Sequence, residues 1–384
     1  MKYLLSLLCF LFLSDLLCDR VSAQPADDSS TLVNTKLKAS VSALKRTTIL
    51  LHTSPGNAVY PGQFNHFEVI DERVDTARIG VRARTGLFSH NHDRQLVFVR
   101  PAATEIAGYL DVHFGRQEAP FTALLVLRTL WLSDANYTKE DLHQDPEKKS
   151  DKFQIRLKAE IYAGKDSLFT PIFRYDTLLT GKAPDYTFLQ SSLEADLSNL
   201  FDDLADSASL VAGRKTANGR KVTREQIREF NQSRFSLPMD SVKVYAAGVY
   251  ATFEEFRNNA PSIHDFEIKT EGKETLLYIK DATGTSSYSH DAWGYSDGTS
   301  LYIMKNGILW PTWKEGRAIY FYGPAYKISP NPAAEPYYPG TPGFTSPGGA
   351  MFRGTPGYYV PPSSTIEKEV KCIYTVDMDT GELY

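Results

Sequence analysis

Between residues 153 and 161 the chain alternates without a break. Phe153, Ile155, Leu157, Ala159 and Ile161 take one set of positions, and Gln154, Arg156, Lys158 and Glu160 take the other. Successive side chains of a strand point to opposite faces, so this segment predicts a strand with one apolar and one polar face. An apolar sheet face has to be covered, and the sequence supplies two covers. Residues 186–204 predict a helix with Leu189, Leu193, Leu197, Leu200, Phe201 and Leu204 on its buried side. Earlier, Ile106, Tyr109, Leu110, His113 and Phe114 share one helical face, behind Pro101 and ahead of Gly115. Proline suits the first turn of a helix, where its missing N–H costs nothing.

Strands are expected at 67–70, 95–99 and 168–179, the last joined to the alternating strand by Gly164-Lys165-Asp166-Ser167. A further strand at 123–132 is almost wholly apolar, as a central strand buried on both faces would be. Strands interleaved with two helices give an α+β class: a mixed sheet with two packed helices, spanning residues 63–210. Residues 24–62 read as a loose lead-in with one strand near 47–51.

Residues 211–238 read as a basic connector carrying Arg214, Lys215, Arg220, Lys221, Arg224 and Arg228, with Thr223 and Gln226 placed as a capping box. Residues 239–384 read as a β-rich domain with one short helix, started by Thr252 and Glu255 and stopped before Pro261. Its strands fall at 266–269, 276–280, 300–305, 308–313 and 318–322, with Asn306-Gly307 as a tight hairpin turn. Asp297-Gly298 and Thr380-Gly381 are further turn candidates. A Pro/Gly-rich stretch at 329–364 cannot build a core and reads as an insertion. Strand patterns resume at 371–377 and 382–384, so the chain is expected to return to the C-terminal sheet.

Residues 1–23 have the pattern of a secretory signal. Lys2 precedes an apolar run over 3–13, and Val21-Ser22-Ala23 places small residues for cleavage after Ala23. The run is too short to span a bilayer. Export would leave Cys372 as the one cysteine of the mature chain, expected as a buried strand residue without a disulfide. The net charge of -4 offers no field for polyanions, which argues against nucleic acid as a partner.

The motifs that carry chemistry each have a plainer explanation. Gly294-Tyr295-Ser296-Asp297-Gly298 matches a serine-hydrolase elbow, but the residues after it alternate like a strand, and the last histidine, His290, precedes Ser296. His90 and His92 share a strand face if the segment is extended, which suits a metal site lacking its third ligand; a polar loop is the simpler reading. Asp71-Glu72-Arg73-Val74-Asp75 offers paired carboxylates, more simply read as an ion-paired turn. Residues 213–221 lack the spacing of a phosphate loop. No catalytic, cofactor-binding or metal-binding residue is assigned. The candidate ligand contacts are the aromatics Trp293, Tyr295, Trp310 and Trp313, whose rings could stack on sugars or fill a β core.

Two stretches resemble known families. The segment from Phe67-Glu68-Val69-Ile70 through Asp71, Arg73 and Asp75 to Ile79-Gly80 resembles the strand-Asp-x-Arg-x-Asp start of the YajG-like envelope accessory lipoproteins. Gly248-Val249-Tyr250, Phe253, Phe256, Asn259, Pro261, Trp293, Asp297-Gly298 and Leu301-Tyr302-Ile303 look like an uncharacterised family of exported proteins from Bacteroidota. The resemblances imply an envelope or surface location and supply no activity. The resulting expectation is an exported, non-enzymatic protein that binds an envelope protein or glycan. A carbohydrate-binding role for the C-terminal aromatics is the alternative, and a hydrolase is the third reading.

Overall fold

In the computed structural model the described residues are 40–52, 62–85, 91–134, 152–165, 167–182, 189–330 and 365–384. The chain divides into two units, Met1–Ala43 and Leu44–Tyr384. The described part of the first contains a 3-10 turn at Val41–Ala43. The second is an α+β structure.

Its first sheet contains β1 (Lys45–Thr48), β2 (Phe64–Asp71), β3 (Gly80–Thr85), β4 (Asn91–Val97), β5 (Phe121–Asp134), β6 (Lys152–Lys165), β7 (Leu168–Lys182) and β8 (Val222–Thr223). The order is β1-β4-β3-β5-β6-β7-β8, with β2 also on β5. The long β5 therefore pairs in parallel with β2 over its first half and meets β3 at Gly80 opposite Leu132, while β6 runs antiparallel along its other side. The sheet is mixed, as the sequence order predicts. Gly80 is required here: a Cβ would lie 2.0 Å from the Leu132 carbonyl oxygen.

Helix α1 (Ala102–Phe114) follows Pro101 and ends at Gly115, and it buries Ile106, Tyr109, Leu110 and Phe114. Helix α2 runs over Leu189–Asn218, well past Leu204, where the leucine stripe stops. Its continuation buries Ala205, Ala208, Ser209 and Ala212. Small residues let a helix lie close to its neighbour but carry little apolar signal, which is why the sequence pattern ends the helix early and counts its last turns as connector. Both helices cover one face of the sheet, and their apolar residues form one core with Phe67, Leu125, Ile155, Leu157 and Ile161.

The expected basic connector holds β8, then α3 (Arg224–Ser233) and the short α4 (Pro238–Ser241). The capping box at Thr223 and Gln226 is present in both directions. After β9 (Gly248–Tyr250) and α5 (Phe253–Arg257), the chain makes two antiparallel sheets. One is small: β10 (Phe266–Glu271), β11 (Glu274–Lys280) and β12 (Ser286–Ser289). The other holds β13 (Gly294–Ser296), β14 (Leu301–Lys305), β15 (Ile308–Glu315), β16 (Ala318–Pro330) and β17 (Thr365–Thr375), in the order β17-β16-β15-β14-β13-β9. The Asn306-Gly307 turn has positive φ at both residues, 54° and 78°, as a tight two-residue hairpin needs.

Strands β16 and β17 flank the Pro/Gly insertion and pair with each other as far as Pro330 opposite Thr365. The insertion from residue 331 to 364 lies outside the described residues, as does the signal pattern at 1–23. Cys372 is a buried residue of β17, the buried strand position expected from the sequence. One face of the larger sheet packs Ile303, Phe321 and Tyr374 with Tyr250 and Phe256. The other face packs Met304 and Leu309 with Leu277 of the small sheet.

Candidate functional site

The polar face of β6 is buried at its centre, between the partly exposed Gln154 and Glu160. Arg156 and Lys158 are buried, at 8% and 5% exposure, because the C-terminal turn lies across them. Lys158 donates to Asp377 at 2.5 Å and to Glu382 at 3.1 Å. Arg156 donates to Glu382 at 2.9 Å and pairs with Asp176 of β7 at 2.8 Å. Arg128 of β5 bridges Glu160 at 2.6 Å and Asp379 at 3.3 Å, and Arg234, just after α3, also binds Asp379. The Tyr384 hydroxyl donates to Asp377. Each buried cation thus finds a carboxylate, the arrangement a low-dielectric contact demands.

The turn after β2 closes the other end of this seam. Arg73 donates to both Asp71 oxygens, each at 2.7 Å, and to the Arg78 carbonyl at 2.7 Å. Arg78 pairs with Asp75 at 3.0 Å and with Glu315 of β15 at 3.1 Å. Asp75 accepts the hydroxyl of Tyr320 from β16. The ion-paired turn expected from sequence is therefore present, and it also docks the first sheet on the second. Trp131 of β5 packs beside Tyr320, with ring centroids 6.2 Å apart.

These contacts shift the groups that make them. Burial pushes Asp377 up, but the hydrogen bonds from Lys158 and Tyr384 outweigh it and leave the carboxyl below its ordinary value. Glu382 behaves the same way: burial raises it, and Lys158 and Arg156 bring it below the usual range. Burial, then the charge of Asp377, raises the Tyr384 hydroxyl; burial, then Asp75, raises Tyr320. A narrow crevice between Arg73, Arg128, Trp131, Asp377 and Tyr384 has room for a few water molecules. The arrangement fastens two sheets together and leaves little space for a substrate.

The candidate ligand aromatics are half-buried and divided among several contacts. Trp293 packs on Phe253 and Phe256, with centroids 5.1 Å and 4.1 Å away. Trp310 packs against the same core, and its ring carries the Lys371 ammonium at 5.3 Å. Tyr295 lies in the other core, beside Phe266 and Tyr302, where burial first and Asp297 second push its hydroxyl up to about 12. Trp313 stacks on Tyr320 at 5.9 Å and contacts Tyr322 at 5.3 Å. Trp293 and Trp310 thus share one core, while Tyr295 and Trp313 each pack elsewhere.

Ser296 is fully buried in β13 and accepts a hydrogen bond from the Gly298 amide at 2.9 Å. Asp297 accepts from the amides of Thr299 and Ser300 at 2.7 Å and 2.6 Å, which fixes the turn into β14. An exposed nucleophile needs a strand-turn-helix; this is a strand-turn-strand. His90 lies outside the described residues. His92 is in β4, opposite Arg84, so the expected polar loop is a strand at that point. The described residues contain no group of three or more His, Cys, Asp or Glu able to hold a metal ion.

Sequence reasoning missed the seam. Its signal was present in two halves: buried-strand cations at Arg128, Arg156 and Lys158, and the acidic end Asp377, Asp379 and Glu382. Nothing local says that groups more than 200 residues apart belong together.

No family model matches the sequence. The search of curated proteins likewise finds no match. Among solved structures, the chain is similar to a Xanthomonas campestris protein described by the family model DUF330, at 10% identity and a TM-score of 0.30. The likeness covers 45% of this chain and 100% of that one, and at such a score it carries no argument about fold or function.

Proposed function

We propose that the protein is an exported, non-enzymatic component of the cell envelope or surface that binds a macromolecular partner. The observation that carries this reading is the use of the seam's charged groups. Lys158, Arg156, Arg128 and Arg234 are all engaged by Asp377, Asp379, Glu382, Glu160 or Asp176. Groups consumed in internal pairing hold a shape and are poor candidates for acid–base work. The N-terminal signal pattern supports export, and the two family resemblances point to the same location. The partner is read as an envelope protein or a glycan, and the modest negative charge speaks against nucleic acid. Among the described residues no helix is long and apolar enough to cross a membrane.

The test is cross-linking affinity purification from fractionated cells, with mass spectrometry of the partners and of the mature N-terminus. Recovery of a reproducible envelope partner, with the chain beginning at Gln24, is the expected result. A cytoplasmic protein with Met1 intact would remove the basis of the reading. An exported protein without a partner, whose tryptophan fluorescence responds to glycans, would transfer the role to Trp310 and its neighbours.

A further inference from the structure

We propose that the free edge of β7 pairs with the same edge of a second copy, joining the two first sheets into one. Strand β7 pairs with β6 along its whole length. On its other side β8 pairs only with Leu168 and Phe169. From Ile172 to Lys182 that side has no backbone partner among the described residues. A long edge presents a row of unpaired N–H and C=O groups, the template on which another strand adds. Strand β17, of eleven residues, is another long edge, whereas several edges are blunted. Strands β1 and β12 have four residues each, and β10 carries Glu267, Lys269 and Glu271.

The side chains along β7 select the occupant. Phe173, Tyr175 and Leu179 point to the face covered by α2 and pack against the core there. Arg174, Asp176, Leu178 and Thr180 point to the opposite face and are exposed. In an antiparallel pair related by a two-fold axis at Tyr175, Arg174 stands opposite Asp176 of the second copy, and the reverse pair forms as well. Phe173 then stands opposite Thr177. Opposite charges placed directly across a ladder stabilise it, and like charges destabilise it. The neighbouring registers that keep the two faces matched put Arg174 against Arg174, or Asp176 against Asp176, so the charges specify one register. A two-fold contact needs a self-complementary patch, and this edge is one. The inference is independent of the function proposed above.

Sedimentation of the purified chain tests it. The chain should be dimeric at tens of micromolar. R174D and D176R should each weaken self-association by about ten-fold or more, because each sets like charges opposite one another at both pairs. Mixing the two variants should restore dimers, since the mixed pair is complementary at both positions. Circular dichroism melts would check folding. If D176R fails to fold through loss of the Arg156 contact, R174D, at an exposed position, still gives the answer. A monomeric chain, a dimer insensitive to R174D, or two folded variants that do not recover on mixing would each overturn the proposal. An extended peptide from another protein bound at this edge of a monomeric chain would do so too.

Discussion

The two faces of β6 bury side chains by opposite means. One face sends Phe153, Ile155, Leu157, Ala159 and Ile161 under the helices, into a continuous apolar core. The other sends Arg156 and Lys158 under the C-terminal turn, where burial is possible because carboxylates meet them. The apolar face gains from leaving water and needs no particular partner atom. The polar face loses its hydration and recovers it only through specific geometry, so it adds less stability and more positional definition.

The sharpest way to test that difference is to damage each face and compare. Phe201 of α2 is fully buried over the apolar face. Phe201→Ala should cost about 3–5 kcal/mol, read as a large fall in the denaturant midpoint. A cost below about 1 kcal/mol would show that the helix is loosely packed.

On the polar face, Lys158→Met removes the cation that Asp377 faces. It should cost about 3 kcal/mol, because a buried carboxylate is left short of its partner. Replacing both, as K158M with D377L, should recover most of that loss in a double-mutant cycle. If the double variant is as unstable as the single one, the pair contributes net stability, and the contrast between the two faces is overstated.

Tyr320→Phe is a smaller change at the other end of the seam. It removes the hydroxyl that Asp75 accepts but leaves the Arg78 ion pair in place. We expect a loss of about 1–2 kcal/mol.

The pH dependence separates the faces with the smallest expected change. Asp377 and Glu382 are held below their ordinary values, so their contribution is present above the unfolded carboxylate pKa, near 4, and is lost as pH falls through the folded values. Tyr320 and Tyr384 are raised, so their contribution is present below the unfolded tyrosine pKa, about 10, and is lost at higher pH. Wild-type stability measured across pH should therefore decline at both ends. The acid decline should shrink in the K158M/D377L background, while the unfolding contributed by Phe201→Ala stays the same at every pH. An unchanged acid decline in the double variant would move the titrating groups elsewhere.

How much of this was legible follows from the range of each interaction. The strand at β6, the first helix with its Pro101 and Gly115 limits, the Asn306-Gly307 hairpin and the capping box at Thr223 are set by residues within a few positions of one another. The helix beyond Leu204 was not legible, because Ala205, Ala208 and Ala212 signal contact only once a close neighbour is known. Strands β3, β8, β9, β12 and β13 were missed for a related reason: each has six residues or fewer, and pairing with neighbours holds them in place. Of the four aromatics proposed for ligand contact, the sequence placed all in one β-rich region, but their division between cores depended on how the strands stack.

The sequence by itself determined the α+β class, the apolar side of each principal element and the turns that join them, because periodicity and turn chemistry act over short stretches of chain. Only the tertiary structure decided that Arg156 and Lys158 of β6 are buried, that Asp377 and Glu382 meet them, and that along most of its outer side β7 has no backbone partner among the described residues. Charge pairing and strand addition depend on which surfaces meet, and that is fixed by packing between segments far apart in the chain.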